Sequence, residues 1–423
     1  MTAETPAEPT TASADAGVAN ATAGAATKPA TPPKGFTILA TPEGKKDGLV
    51  TCPKCGASEV AFNQAKSLLF CTFCRNQWAP DSLDTVMGLS EGIGELKGTT
   101  VTTAAVDITS SETIVTFKCT GCGAEVVIDT EHNLQARCHW CKHTLSLNNK
   151  IDNGAVPDGI LPFTVTKQQA MASISAFAGD RKTFQHPDFK ASFRPENIMG
   201  VYMPYMTVDG NVTVKLAGAG EILRKTVRVN DKRTEYHADQ FTVKREIDAE
   251  IDDLIVETSA EKIDLNSTES TNNIINAILP FDVKNIVRFD AGFLGSEYSS
   301  EKRDLNVDHV QGYAANHFLT IARGIVAQSV GGYNRGVRWE EEEVNVKGSR
   351  WTSVMLPVWL YGFVETRKGK QTTHYIAVNG RSGAVMGSIP INRGKAAAVA
   401  WGVAGAISLI TWPLALLILV ASA

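Results

Sequence analysis

Excess charge is what this chain most plainly lacks. Its 41 Lys and Arg nearly balance 45 Asp and Glu, for a net charge of −4 over 423 residues and a pI near 6.1. That balance argues against a surface along the whole chain for nucleic acid or another polyanion, though not against a local one. Aromatic residues are sparse at 7%, while 35 glycines suit β-rich domains with many turns. Motor and protease signatures are missing too. No G-x-x-x-x-G-K-[ST] loop occurs: Gly44-Lys45-Lys46 and Gly394-Lys395-Ala396 lack the upstream glycine and the hydroxyl residue. No H-E-x-x-H occurs, which speaks against a zincin. Residues 1–35 hold few charges and almost no large apolar groups, and they lack both the apolar run of a signal peptide and the arginines of a transit peptide. They read as a disordered tail.

What is present begins with cysteine. All eight cysteines fall into four Cys-x-x-Cys pairs: Cys52/Cys55, Cys71/Cys74, Cys119/Cys122 and Cys138/Cys141. Fifteen residues separate the first pair from the second, and fifteen the third from the fourth. This repeated spacing predicts two zinc ribbons, each closing four thiolates around a structural Zn2+ with no open position for water or substrate. The first knuckle of each ends in glycine, Gly56 and Gly123, where the chain can turn tightly. The second is followed by a cation, Arg75 or Lys142, placed to offset the thiolate charge. The competing reading is disulfides or separate redox pairs. Without a secretory signal a cytosolic chain keeps its thiols reduced, which favours zinc. His139 and His143 stand beside a site that four cysteines already satisfy and read as bystanders.

The far end is uncharged from Ala396 to Ala423. Such a run predicts a transmembrane helix over 396–421, with Arg393 and Lys395 holding the preceding domains in the cytoplasm. The expectation is a tail-anchored, single-pass protein of the cell membrane, touching lipid through 396–421.

Between the two ends the predicted order is zinc ribbon 1 (36–80), a linker (81–111), zinc ribbon 2 (112–149) and a β-rich α+β domain with an antiparallel sheet (159–392). Strand signals flank the third knuckle at 114–118 and 125–128. Thr166-Lys167-Gln168-Gln169 is a capping box opening a helix, and Val310, Tyr313, Ala314, Phe318, Ile321 and Ile325 mark one face of another. Strands are expected at 201–208 and 211–216, joined by a hairpin at Asp209-Gly210, then at 221–229 and 235–245. Gly218-Ala219-Gly220 reads as a turn, and 268–278 as a short helix. A meander follows at 351–364, 374–378 and 384–389, with Asn379-Gly380 as a turn.

The order of further motifs carries a resemblance. After the Cys-x-x-Cys pairs come Leu161-Pro162-Phe163, Pro187-Asp188-Phe189-Lys190, Ile198-Met199-Gly200-Val201-Tyr202-Met203-Pro204-Tyr205, Leu279-Pro280-Phe281-Asp282, Gly292-Phe293-Leu294, Leu356-Pro357-Val358-Trp359 and Val378-Asn379-Gly380-Arg381-Ser382-Gly383. From about Cys52 to Lys395 this resembles the bacterial transcription-factor-IIB-type zinc-ribbon-containing membrane proteins. Some members of that family carry the label primosomal protein N-prime, a replication-restart helicase. The resemblance implies zinc at Cys52, Cys55, Cys71, Cys74, Cys119, Cys122, Cys138 and Cys141, and no catalytic residues. The missing P-loop, and a length too short for two motor domains, exclude a helicase motor.

Scattered histidines (His186, His237, His309, His317, His374) read as surface or satisfied groups. Asp252-Asp253 and Glu340–Glu343 read as solvated faces rather than cation sites. Two functions remain. The first is a membrane-tethered, non-enzymatic binding or scaffold module with a protein partner. The alternative is a nucleic-acid-binding zinc-ribbon protein linked to replication or transcription, using Phe70, Phe73, Trp78 and Trp140 beside Lys54, Lys66, Arg75, Lys118, Arg137 and Lys142. The ribbons' need for a core assigns those aromatics to packing, so nucleic acid is not the favoured partner. On this reading Cys55→Ser or Cys122→Ser unfolds its own ribbon and spares the domain after Gly159.

Overall fold

A computed structural model describes residues 36–39, 51–57, 60–89, 92–106, 114–118, 125–129, 136–137, 139–140, 144–145, 150–151, 157–230, 233–259, 276–294, 298–301, 303, 305–367 and 370–421. Strands dominate. In chain order they are β1 (Phe36–Leu39), β2 (Val60–Asn63), β3 (Leu68–Cys71), β4 (Gln77–Trp78), β5 (Gly98–Thr102), β6 (Ile114–Lys118), β7 (Glu125–Asp129), β8 (Ala136–Arg137), β9 (Thr144–Leu145), β10 (Lys150–Ile151), β11 (Gly159–Ile160), β12 (Met199–Asn230), β13 (Arg233–Glu257), β14 (Val287–Arg288), β15 (Tyr298–Glu301), β16 (Val337–Arg367), β17 (Lys370–Asn379) and β18 (Val385–Gly387). The helices are α1 (Leu83–Met87), α2 (Thr103–Val106), α3 (Lys167–Asp180), α4 (Pro187–Ser192), α5 (Val307–Ala327) and α6 (Arg393–Ala421).

One sheet of 13 strands organises the molecule, with the path β1-β5-β16-β12-β15-β7-β6-β10. It is mixed. The pairs β1–β5, β5–β16, β11–β16 and β12–β15 run parallel, while β12 runs antiparallel to both β13 and β16. The expected α+β fold with an antiparallel sheet is therefore corrected to a mostly β fold with one large mixed sheet and few helices. Its centre is three long strands of 32, 25 and 31 residues, β12, β13 and β16. Local alternation reveals that such segments are strands; it does not reveal that short strands from the N-terminal third add to their edges.

The hairpin expected at Asp209-Gly210 is absent. Both residues lie inside β12, where the β13 register shifts between Val208 and Gly210. The glycine serves packing: a Cβ there would come within 2.7 Å of the Phe318 ring of α5. Gly218-Ala219-Gly220 likewise lies inside β12 rather than in a turn. The helix expected at 268–278 falls outside the described residues except for a 3-10 turn at Asn276–Ile278.

The helices that carried start signals form. Thr166 caps α3, with its hydroxyl accepting from the Gln169 N–H and the Gln169 side chain reaching back. Along α5 the buried stripe is Val310, Tyr313, Ala314, Phe318, Ala322 and Val326, while Ile321 and Ile325 are 36% and 53% exposed. The stripe thus drifts one position from that expected. This helix covers Val208, Val212, Val214, Leu216 and Trp351 on one face of the sheet.

The C-terminal segment is helical, Arg393–Ala421. Among the described residues, however, no helix is long and apolar enough to cross a membrane. From Arg393 to Ser408, α6 is built largely of Ala and Gly behind Arg393 and Lys395, so little of its hydropathy comes from large side chains. The expected transmembrane helix over 396–421 is overturned. With it go the tail anchor and the placement at the cell membrane as a single-pass protein.

Candidate metal centre

The first ribbon is the three-stranded antiparallel sheet β2-β3-β4 with a Cys knuckle at each side. The first knuckle closes on itself: Gly56 N–H donates to the Cys52 carbonyl and Cys52 N–H to the Ala57 carbonyl, both at 2.8 Å. Gly56 supplies the left-handed turn this needs, at φ +73°. The second knuckle repeats the turn with a different residue. Arg75 takes φ +63° and donates its N–H to the Cys71 carbonyl at 3.0 Å. The Cys74 N–H points at the Cys71 Sγ, 3.4 Å away.

These turns bring four thiols together. Cys52 and Cys74 Sγ lie 3.5 Å apart, Cys55 and Cys71 Sγ 3.7 Å, and all four within 4.8 Å of one another. A tetrahedral ion with metal–sulfur bonds of about 2.3 Å has sulfur–sulfur edges of about 3.8 Å, so the donor set fits Zn2+. Cys52 and Cys71 are buried and Cys55 is exposed at the rim. The thiols also differ as acids. Burial opposes ionisation of Cys52, but the Lys54 and Cys55 N–H groups and the neighbouring thiols bring it down to about 7. The Ala57 N–H favours the Cys55 thiolate, yet burial and the thiols of Cys74, Cys71 and Cys52 push Cys55 up to about 12. Four thiolates in so small a space require a cation among them.

The hairpin is built into the body. Val60 and Leu69 belong to the same core cluster as Ile160, Phe163, Phe289 and Phe293. The Phe62 and Phe293 rings lie 4.6 Å apart. Gln64 Nε2 donates to the Val165 carbonyl at 3.2 Å, and Tyr298 OH donates to Gln64 Oε1 at 3.3 Å. At Gly292 any Cβ would meet the Val60 carbonyl at 2.4 Å. The β2–β3 end is thus docked, while at the knuckle end Phe73 is 78% exposed, which corrects the packing role expected for it.

Of the eight predicted ligands, Cys52, Cys55, Cys71 and Cys74 converge. Cys119, Cys122, Cys138 and Cys141 lie outside the described residues. Their described neighbours sit against the large sheet. The β6–β7 hairpin joins it through β15. Trp140, 9% exposed, packs edge-on to Tyr375 at 5.1 Å. His139 is fully buried, with Nδ1 3.4 Å from Ser299 Oγ. Other histidines have structural work: His186 accepts from the Asp188 N–H at the head of α4, His309 from the Asn306 N–H at the head of α5, and His374 contacts Glu365 and Ser388.

The Leu-Pro motifs also meet one another. Asn379 Nδ2 donates to the Ile278 and Pro280 carbonyls at 2.9 and 3.0 Å. Gly380 N–H donates to the Pro357 carbonyl at 2.9 Å. Arg381 reaches the Pro162 carbonyl at 3.0 Å and pairs with Asp282 at 2.5 Å. Four motifs distant in sequence thereby form one structural junction.

Two expectations need correction: that Asp252-Asp253 is simply a solvated face, and that the chain contains no G-x-S-x-G sequence. Asp209 joins Asp252 and Asp253 in a carboxylate group whose oxygens lie within 4.8 Å of one another, from 44 residues upstream of Asp253. Arg350 pairs with Asp209 at 2.6 Å, with both side chains largely buried. Strand register across β12 and β13 brings them together, which no local pattern announces. Gly88-Leu89-Ser90-Glu91-Gly92 spells G-x-S-x-G. It follows the short helix α1 and precedes a 3-10 turn at Ile93–Glu95, so the strand-to-helix context of a nucleophile elbow is missing. Ser90 and Glu91 lie outside the described residues.

Comparison with known proteins finds a distant likeness. The chain is 24% identical over 262 residues to the uncharacterised protein YdjG of Bacillus subtilis (strain 168), covering 61% of this chain and 71% of YdjG. No family model matches, and no solved structure matches. What stands is a distant likeness together with a four-cysteine site that could hold a metal such as zinc.

Proposed function

We propose that the protein is a non-enzymatic, zinc-stabilised binding or scaffold module of the transcription-factor-IIB-type zinc-ribbon kind, with one structural zinc in each ribbon. The observation that carries this reading is the closed four-thiol cluster, whose 3.5 and 3.7 Å sulfur contacts leave a bound ion no position for water or substrate. The identical spacing of the second cysteine set supports a second ion. The convergence of the Leu-Pro motifs on a structural junction, through Asn379 and Arg381, supports an architectural rather than catalytic role for them. A protein partner fits the exposed Phe73, since a solvent-facing aromatic is a ready anchor for an apolar pocket.

Metal analysis of the purified chain tests the reading. Two zinc ions per chain are expected, falling to one in Cys55→Ser and to one in Cys122→Ser. A chain that purifies folded and free of zinc would refute it.

A further inference from the structure

Cys55 differs from the other thiols of its cluster in exposure. Cys52 and Cys71 are buried and Cys74 is half-buried, while Cys55 lies open to solvent at the rim. A cysteine binds a metal as the thiolate, which is also the form that peroxides oxidise. Oxidation follows thiolate character and exposure, and it stays reversible where a second thiol stands close enough to resolve the product. Cys55 has that second thiol. Its sulfur lies 3.7 Å from that of Cys71 in the opposite knuckle, as Cys52 lies 3.5 Å from Cys74.

The backbone favours a bond across the knuckles over one within a knuckle. In each knuckle the first sulfur is held by N–H groups of its own turn: Cys52 by Lys54 and Cys55, Cys71 by Cys74 at 3.4 Å. Joining Cys52 to Cys55, or Cys71 to Cys74, would draw these sulfurs out of their turns. A Cys55–Cys71 bond asks for less. Cys71 ends β3 opposite Val60 of β2, and the pairing runs on to Asn63 and Leu68. The hairpin therefore already closes the loop between the two cysteines, so little further chain ordering is needed to join them.

We propose that Cys55 is an oxidation site for hydroperoxides, resolved by Cys71 into a reversible Cys55–Cys71 disulfide that replaces the metal in holding ribbon 1. This site rests on the zinc reading above, to which it adds regulation. With hydrogen peroxide, the Cys55 thiolate attacks one peroxide oxygen, the O–O bond breaks and hydroxide leaves, giving the sulfenic acid. The Cys71 thiolate then attacks the Cys55 sulfur, the S–O bond breaks and a second hydroxide leaves. The two sulfurs give up two electrons to the peroxide, and solvent protons turn both hydroxides into water. With two of its four ligands joined to each other, the site no longer holds the ion. Val60, Phe62 and Leu69, which seat the hairpin on the body, take no part in the bond. The knuckle that changes is the one carrying the exposed Phe73, two residues from Cys71, so oxidation acts on the surface offered to a partner.

The test treats the full-length, zinc-loaded chain with equimolar hydrogen peroxide, follows zinc release, alkylates the remaining thiols and maps the tryptic peptides by mass. Trypsin separates the cysteines: residues 47–54 carry Cys52, 55–66 carry Cys55, and 67–75 carry Cys71 and Cys74. The expected product joins 55–66 to 67–75, with fragmentation placing the bond on Cys71 and leaving Cys74 alkylated. One zinc should leave for each such crosslink, and dithiothreitol with added zinc should reverse both. The oxidised chain should melt above the reduced chain stripped by a chelator, because the disulfide constrains the unfolded ribbon. The inference is overturned if the bond falls on any other pair of the four cysteines, if Cys55 goes to sulfinic acid without a crosslink, or if oxidation is confined to the cysteines of ribbon 2. The parent chain alone decides this, so no variant has to fold. A chain that purifies without zinc would count against the metal reading, and the same peptide map would still decide the Cys55–Cys71 bond.

Discussion

Ser67, Arg75 and Asp253 hold positive φ of 54°, 63° and 55°, a region that costs a side-chain-bearing residue about 1 kcal/mol or more. For Arg75 the conformation closes a Cys knuckle in the place that Gly56 takes in the other. Spacing alone made the four cysteines legible; the matching turn at Arg75 was not, because arginine carries no turn signal. Asp253 is more consequential. Burial, then Asp252, Asp209 and Asp84, push its carboxyl up to about 6, against the opposing pull of Lys284. Its backbone N–H donates to Asp209 Oδ1 at 3.0 Å, and Arg350 neutralises Asp209 from the far side. In the unfolded chain an aspartate titrates near 4, so the folded state holds this proton more tightly. The sign follows: the group favours folding below about pH 4, and that contribution is lost as pH rises through about 6. An asparagine at this position would tolerate the same φ without the charge. Asp253→Asn should therefore equal the parent in urea stability at pH 4 and exceed it at pH 7 by about 1 kcal/mol, the modest figure reflecting solvent screening at a half-buried site. A variant less stable than the parent at pH 7 would show that the ionised carboxylate is held favourably.

Elements with their own punctuation were readable and those defined by distant partners were not. The capping box at Thr166 and the apolar stripe from Val310 announced α3 and α5. The meander over β16, β17 and β18 followed from alternation and the Asn379-Gly380 turn. Asp209-Gly210 misled because a turn-forming pair inside a strand looks the same as one between strands; the deciding neighbour is Phe318, more than a hundred residues away in sequence. Ribbon 1 was read as an independent module for a similar reason. Its strands form a separate small sheet, but Val60 and Leu69 sit in the core of the body. Cys55→Ser should then disturb the body as well as its own ribbon. A more local probe is Gly292→Ala, which forces a methyl against the Val60 carbonyl. It should cost about 1–3 kcal/mol and open the 60–78 segment to protease before the rest of the chain. An unchanged cleavage rate in that segment would mean that the ribbon is not seated on Gly292.

At the scale of the molecule, one mixed sheet runs from β1 to β10 and carries strands contributed from residue 36 to residue 387. The fold class could not be read because parallel additions such as β1–β5 and β12–β15 depend on chain crossings, not on local pattern. The C-terminal helix was legible as a helix, and its composition suggested more than the structure supports. If the four-thiol site is a structural zinc centre seated in this body, metal and body must unfold together. The most direct measurement is a melt of the full-length chain before and after zinc is stripped by a chelator, with zinc loss verified by elemental analysis. The account predicts one cooperative transition shifted down by several degrees, at roughly 2–4 °C per kcal/mol for a domain of this size. An unshifted melting temperature in the metal-free chain would contradict it.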